Sequence, residues 1–445
     1  MNTAPETTTT RAAAGTPKAE KQDWRDRLVE VEVGPVAHGG HCVARHEGRV
    51  LFVRHTLPGE RVVARVTEDN GGSFCRADAV EVLTASPDRV EPACPFSGPG
   101  RCGGCDWQHA SWEWQRDAKA AVVAEQLSRL AKLELDVVVE ELPGGPLQWR
   151  TRARTAADRK GRAGFRAFHS HRIIAVDHCP ITVPGAVEAV AKRDWPHDTE
   201  QQMTVDHTGE LHLSEITVEA KRGHGLVPVR TRRVKGGERA VEQAAGRTWD
   251  LSADAFWQVH HAAADVLASA VRKWAGALPG ERAWDLYGGV GLFASVLADQ
   301  VGETGSVLVV ESSSRAVADG RRNLSDLPQV EFVGIKVEHA LTSPSLADDR
   351  PDVVVLDPPR KGAGRAVVGE ITRRGPARVV YVACDPAALA RDVAIFAEQG
   401  YRLANLRAFD AFPMTHHVEC VALLVPAEED GAEEDGAQEL GTDEG

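Results

Sequence analysis

No stretch of this 445-residue chain approaches the ~20 consecutive apolar residues that cross a bilayer, so no membrane role is expected. The first two dozen residues, Met1 to Trp24, are mostly Thr, Ala, Lys and Glu and lack the apolar core of a signal peptide. A cytoplasmic protein with a disordered lead over residues 1–25 is expected. At the other end basic residues are missing. Glu428 to Gly445 hold nine acids and no Lys or Arg, and the segment from 427 onward is expected to be disordered. That tail distorts the net charge of −13, for without its nine acids the remainder carries −4. At 42% hydrophobic and 26% charged, the composition is ordinary for a globular protein, and the chain is too long for one core.

Residues 26–86 have no helical period. They alternate apolar and polar positions instead, as in Leu28-Val29-Glu30-Val31-Glu32-Val33, with turn signals at Gly39-Gly40 and Asn70-Gly71-Gly72. The pattern predicts a five-stranded barrel of the OB type over 26–87, which serves either as an oligonucleotide platform or as a structural appendage. A central region, 88–247, follows. Three of the eight cysteines, Cys94, Cys102 and Cys105, fall within twelve residues there, and disulfides are rare in a cytosolic chain. Metal or cluster ligation is the stronger reading, with Gly103-Gly104 allowing the tight backbone. Trp112 to Leu133 has helical spacing and is expected to be able to pack on the catalytic domain. A fourth cysteine, Cys179, lies in a strand-rich stretch.

That stretch is also basic. Arg150, Arg152, Arg154, Arg159, Lys160, Arg162, Arg166 and Arg172 face a single acid, Asp158, and a second group comprises Lys221, Arg222, Arg230, Arg232, Arg233, Lys235 and Arg239. Either group alone reads as a solvated strand face; the two together point to an anionic polymer. From 248 to 426 the pattern changes to β-α units: helix 260–278, strand 283–286, helix 292–300, strand 306–311, helix 314–324, then strands at 330–333, 353–357, 379–383 and 420–425. These predict an α/β, Rossmann-like, doubly wound sheet.

The chemistry lies at the strand ends. Asp285-Leu-Tyr-Gly-Gly-Val-Gly291 is a strand-to-helix turn that lets backbone approach a ligand, and Glu311 ends the next strand where an acid receives ribose hydroxyls. A glycine turn alone can be structural; with the acid, a nucleoside cofactor is favoured, S-adenosylmethionine at least as well as a dinucleotide. Cys384 ends the strand Val379–Ala383, and Asp385-Pro386 is expected to delay the next helix. A helix N-terminus nearby would lower the thiol pKa. A lone cysteine is usually structural, but Asp357-Pro-Pro and Glu419 fall at neighbouring strand ends. Cys384 therefore reads as a nucleophile and Glu419, half-buried, as a general base. His416-His417 are poorly spaced for a metal and read as packing residues.

In order along about residues 27–425, Cys94…Cys102-Gly-Gly-Cys105-Asp106-Trp107-Gln108-His109, Arg152-Ala-Arg154, Gly164-Phe165-Arg166, Asp177-His178-Cys179-Pro180, Phe256-Trp257-Gln258-Val259, Asp285-Leu-Tyr287, Asp357-Pro358-Pro359-Arg360, Cys384-Asp-Pro…Arg391-Asp392 and His416-His417-Val-Glu419 form one set. Together they resemble the S-adenosylmethionine-dependent RNA 5-methyluridine methyltransferases that carry a TRAM domain and an iron–sulfur cluster. The resemblance implies a [4Fe–4S] cluster on Cys94, Cys102, Cys105 and Cys179, with zinc as runner-up. It also implies S-adenosylmethionine held by Gln258, Tyr287, Glu311 and Asp357, Cys384 as nucleophile and Glu419 as base. Arg391 would face RNA or hold the Cys384 loop. The implied substrate is a uridine in ribosomal RNA, ahead of transfer RNA, and the implied state is a monomer. Gly288 stands where the family often has Cys, Leu292 where a small polar residue is usual, and seven residues rather than five separate Cys94 from Cys102. The rival reading is a non-catalytic RNA-binding protein on a degenerate core.

Overall fold

The structure, a computed structural model, describes residues 23–221 and 225–427. Most of the expected lead and the acidic tail lie outside the described residues, as does Arg222. The lead ends earlier than its composition suggests. Trp24 is buried among the first apolar cluster, its backbone N–H donating to Asp69 Oδ2 at 2.8 Å and its ring flanked by the guanidinium groups of Arg27 and Arg49.

Residues 28–84 form a curled sheet of six strands, not five, in the order Leu28–Glu32, Arg61–Asp69, Phe74–Thr84, Arg49–Arg54, His41–His46, Val36–Ala37. The additional strand is the two-residue Val36–Ala37, too short to leave an alternating signature. Elsewhere alternation decides the faces: Val29 and Val31 point inward with Val62, Ala64 and Val66, while the intervening residues face water.

The central region is an antiparallel sheet of six strands. Its order is Ile173–Ala175, Ala163–Arg166, Arg152–Ala157, Thr199–Val205, Leu211–Lys221, Gly225–Lys235. A separate hairpin, Arg239–Ala244 with Arg247–Ser252, leads out of it. Helix Trp112–Gln126, capped by Ser111 accepting from Trp114 N–H, runs on through a wider turn at Leu127–Ala131. Its Val123 and Leu127 share one apolar cluster with Val354 and Leu356 of the last sheet.

That sheet has eight strands in the order Val330–Val333, Ser306–Val310, Arg282–Leu286, Val353–Leu356, Arg378–Ala383, Glu419–Pro426, Tyr401–Asp410, Val139–Glu141. The first five run parallel, and Glu419–Pro426 is antiparallel to both its neighbours. Val353–Leu356 is buried on both faces, as a central parallel strand covered by helices must be. Two strands escape the sequence reading. Tyr401–Asp410 has mixed polarity, and Val139–Glu141 is three residues donated from the far side of the chain. The helix expected over 260–278 is Ala263–Ala275, ending at Gly276 in the left-handed region.

Candidate active site

Parallel strands place their carboxyl ends along one edge. Tyr287, Glu311, Asp357 and Cys384 each follow the last residues of such strands, and Asp285 lies just inside. Because Glu419–Pro426 runs the other way, its first residue belongs to the same edge. Ala383 pairs with Cys420, so Cys384 stands one step beyond the ladder, opposite Glu419.

The helix after Cys384 is not delayed. Pro386 is its first residue, a position where a missing N–H is harmless, and Asp385 caps it by accepting from Ala388 N–H at 2.8 Å. Despite that helix start, the thiol pKa is raised, not lowered. Burial, then the Glu419 and Asp357 carboxyls, push Cys384 up to about 11, with the Arg360 guanidinium opposing. Glu419 is more enclosed than expected, at 4% exposure. Burial first, then Asp357, raise its carboxyl well above the ordinary range, again against Arg360.

The neighbouring acids share this environment. Asp285 is fully buried, with Oδ2 accepting from Ala294 N–H at 2.9 Å and Oδ1 without a protein partner. Burial, with Asp357 and Glu311, raises Asp285 to about 8, and burial raises Asp357 to about 7. Glu311 accepts from the backbone N–H of Gly289 (3.2 Å) and Ser313 (2.6 Å), tying its strand end to the glycine turn. Tyr287 holds a left-handed backbone, φ 60°, unusual for a bulky side chain. Gln258 makes no hydrogen bond among the described residues, while its neighbour Trp257 packs in the cluster that includes Leu292 and Phe293. Gly288 has no room for a larger residue: a Cβ there would lie 2.6 Å from Val309 Cγ1 and 2.8 Å from the Asp285 carboxylate. Leu292 is buried, so its side chain belongs to the core.

Cys94, Cys102, Cys105 and Cys179 are all free, half-buried thiols. They sense one another: burial first, then Cys179 and Cys94, raise Cys102 to about 11, while burial and Cys179 among other groups raise Cys105. Their loop is pinned to the central sheet, for Gly103 N–H donates to Arg166 O at 3.0 Å and a Cβ on Gly103 would strike Phe168 N at 2.5 Å. Among the described residues no three of these sulfurs lie within 4.8 Å of one another. The group that does converge so closely is Asp206, Glu210 and His212. There Asp206 already accepts from the backbone N–H groups of Thr208, Glu210 and Val241, and the cluster reads as a structural turn.

Part of the basic character is taken up by ion pairs within the chain. Arg152 is buried against Glu242 at 2.5 Å; Arg154 and Arg166 both reach Glu200; Arg232 pairs with Glu215 and Arg233 with Asp254. Burial holds Arg150 below its ordinary pKa, with Cys105 and Cys179 opposing that shift. A cavity of about 670 Å³ on this sheet is lined by Arg159, Lys160, Arg162, Arg166, His171 and Arg172 among others.

Several organising residues were given no role by the sequence. Asp392 accepts from Ala363 N–H, Gly364 N–H and the Tyr381 hydroxyl, fixing the loop after Asp357. Asp106 accepts from His416 N–H at 3.2 Å and faces its Nδ1 at 2.6 Å. Lys119 and Asp410, both fully buried, join at 2.5 Å. Arg391 is exposed, and its charge helps lower Asp385.

Residues 27–80 match the TRAM domain family, and residues 273–426 match the tRNA (Uracil-5-)-methyltransferase family. An uncharacterized RNA methyltransferase of Streptomyces coelicolor is 49% identical, over 93% of this chain and 96% of its own. A 23S rRNA (uracil(1939)-C(5))-methyltransferase of Pectobacterium atrosepticum is 32% identical, over 87% and 91%. Among solved structures, the Pyrococcus abyssi tRNA (uracil-54, C5)-methyltransferase in complex with S-adenosyl-L-homocysteine matches with TM-score 0.67 at 24% identity. That match covers 88% of this chain and 99% of that one, and shows the shared fold.

Proposed function

The chain belongs to the TRAM-bearing uracil-C5 RNA methyltransferases, and from that membership we propose that it methylates C5 of a uridine in structured RNA through a covalent cysteine adduct. One observation carries the reading: Cys384 stands opposite Glu419, beside a row of desolvated carboxyls at one sheet edge.

C5 of uracil is too weak a nucleophile to take a methyl group unaided. Cys384, held as a thiol up to about 11, first loses its proton to solvent; the resulting thiolate adds to C6, forming a C–S bond and an enolate whose charge spreads to C5 and O4. S-adenosylmethionine supplies a methyl group on a positively charged sulfur, and C5 takes it as the S–CH₃ bond breaks. Glu419 accepts the C5 proton, the C6–S bond breaks, and Cys384 leaves as thiolate. The raised carboxyls suit this donor. The positive charge that the donor carries would favour the ionised forms of Asp285 and Asp357, the two carboxyls that burial raises at this edge. Tyr287 and Gln258 are the remaining donor contacts proposed.

A uridine stacked in a helix cannot reach this edge, so the target lies in a loop or flips out. The barrel of residues 26–87 and the cavity carrying Arg159, Lys160 and Arg172 are proposed to hold the RNA backbone. Ribosomal RNA is the favoured substrate, in line with the name of the Pectobacterium relative. We assign residues 88–247 to the cluster and RNA contacts and residues 248–426 to methyl transfer.

The four thiols are proposed to hold an iron–sulfur cluster, with zinc as the runner-up. Four thiolates about 2.3 Å from one zinc would be ~3.8 Å apart, a closeness that no three of these sulfurs share. A cluster spreads its ligands over several irons and needs wider spacing.

The test is transfer of labelled methyl from S-adenosylmethionine to unmodified ribosomal and transfer RNA transcripts, followed by digestion to nucleosides. Label in 5-methyluridine from the ribosomal transcript supports the reading; no label, with the donor unbound, returns the protein to the non-catalytic RNA-binding alternative.

A further inference from the structure

The barrel does more than flank the active site: one of its turns touches the segments carrying both reacting residues. Between strands Val36–Ala37 and His41–His46 the chain reverses through His38, Gly39 and Gly40. His38 Nε2 lies 3.2 Å from Asp385 Oδ2, the residue directly after Cys384. Asp385 uses its other oxygen to cap the helix that starts at Pro386. One carboxylate therefore ties the barrel, the Cys384 loop and the helix together.

The second contact is steric. Gly40 lies so close to His416 that a Cβ would come within 2.7 Å of the His416 Cβ, and its φ of 80° also favours glycine. His416 is three residues before Glu419. The same turn is braced from behind: Trp107 Nε1–H donates to Gly40 O at 3.1 Å. Arg54 of the barrel lies 3.4 Å from Asp106, the partner of His416. The neighbouring Met414 carbonyl accepts from the Asp106 and Trp107 N–H groups.

We propose that the turn His38–Gly40 is a positioning element of the active site, with His38 fixing the Cys384 loop through Asp385 while Gly40 seats the loop that delivers Glu419. This rests on the assignment of Cys384 and Glu419 above. Its physical basis is that a reacting atom displaced by about 1 Å can lose up to a hundredfold in rate, whereas an RNA contact on the barrel contributes to binding. A turn that only bound RNA would not need its imidazole directed at the cap of a catalytic-domain helix.

The experiment is a double-mutant cycle in the full-length protein, with His38→Ala, Asp385→Asn and the pair. Asn still caps the helix, so folding is retained. Single-turnover adduct formation is measured on a ribosomal transcript carrying 5-fluorouridine, with RNA KM and donor binding alongside. His38→Ala is expected to slow adduct formation roughly tenfold or more with KM within about twofold. The double variant is expected to be no slower than the slower single, and His38→Gln, whose amide can donate to Asp385, to recover most of the rate. A raised KM with an unchanged rate overturns the proposal in favour of an RNA contact, and additive losses in the cycle overturn the His38–Asp385 link. A wild-type chain that forms no adduct removes the underlying assignment and the proposal with it. A wild-type adduct matched in rate by His38→Ala removes the proposal alone.

Discussion

Cys384 stands opposite Glu419, one step beyond the ladder pair of Ala383 and Cys420. Antiparallel neighbours sit about 4.5–5.5 Å apart between Cα atoms, so the ladder itself sets the spacing of the two residues. The chemistry asks for that adjacency: the nucleophile works at C6 and the base at C5, which are bonded neighbours of one ring. A final strand that turns back along the sheet puts its first residue where the parallel strands end.

Replacing Cys384 with Ala is expected to abolish methyl transfer while leaving S-adenosylmethionine affinity within a few-fold, because the donor is assigned to other strand ends. Calorimetric binding beside a radiolabel assay separates the two. Loss of both would mean that Cys384 supports the fold rather than the reaction.

Glu419→Gln is expected to methylate once and then stall, leaving an RNA–protein adduct that survives a denaturing gel. The same variant has a signature without RNA. Burial, Glu419 and Asp357 hold the Cys384 thiol near 11, so removing one carboxylate lowers that value. Alkylation of Cys384 by iodoacetamide, followed against pH, should therefore rise at lower pH in Glu419→Gln than in the wild type. Coincident profiles with intact turnover would take Glu419 out of the site.

Much of this edge was legible in the sequence because each element leaves its own mark: apolar runs for the parallel strands, glycine at the cofactor turn, acid or cysteine at the strand ends. What escaped was information held between distant segments. The pairing of Arg152 with Glu242 and of Arg233 with Asp254 is invisible until the central sheet folds, so part of a basic cluster on paper becomes a set of ion pairs within the chain. The direction of the Cys384 shift also depended on three dimensions. A helix start favours a thiolate, but two nearby carboxyls and burial outweigh it. Strand Val139–Glu141 could not be read at all, being three residues that join the sheet beside Tyr401–Asp410.

Asp285 offers a test through stability. Its carboxyl is raised from 3.8 to about 8 in the folded chain. A group raised on folding stabilises fully below its unfolded pKa, and that contribution is lost as pH rises through the folded value. Without ligand, Asp285→Asn should therefore melt higher than the wild type at pH 8 and nearly equal to it at pH 4. Addition of S-adenosylmethionine should narrow the gap at pH 8, since a cation offsets the buried charge. Thermal melts at both pH values, with and without donor, decide it; a variant less stable at pH 8 would mean that the Ala294 contact outweighs the charge.

Anaerobically purified protein is expected to contain close to four irons and four acid-labile sulfides per chain, and Cys179→Ser to lose most of both together with the visible absorption band. Because this readout does not depend on turnover, it separates ligation from catalysis. Zinc without sulfide in the wild type would reverse the choice between the two ions.

Lys119 and Asp410 join the long helix to the strand that leads into the Glu419 loop. Lys119 Nζ donates to Asp410 Oδ1 at 2.5 Å and to Phe412 O at 3.1 Å, and Asp410 also accepts from Trp112 Nε1–H at 2.9 Å. Neither side chain of the pair reaches water. Removing one partner strands a buried charge, so Lys119→Met should cost about 3–5 kcal/mol in denaturant unfolding, whereas Lys119→Met with Asp410→Asn should recover most of it. The recovered double variant is informative about function as well. If the pair acts only through stability, its turnover returns with its folding. If the charge also directs the loop toward Glu419, folding returns while methylated adduct accumulates, as in Glu419→Gln.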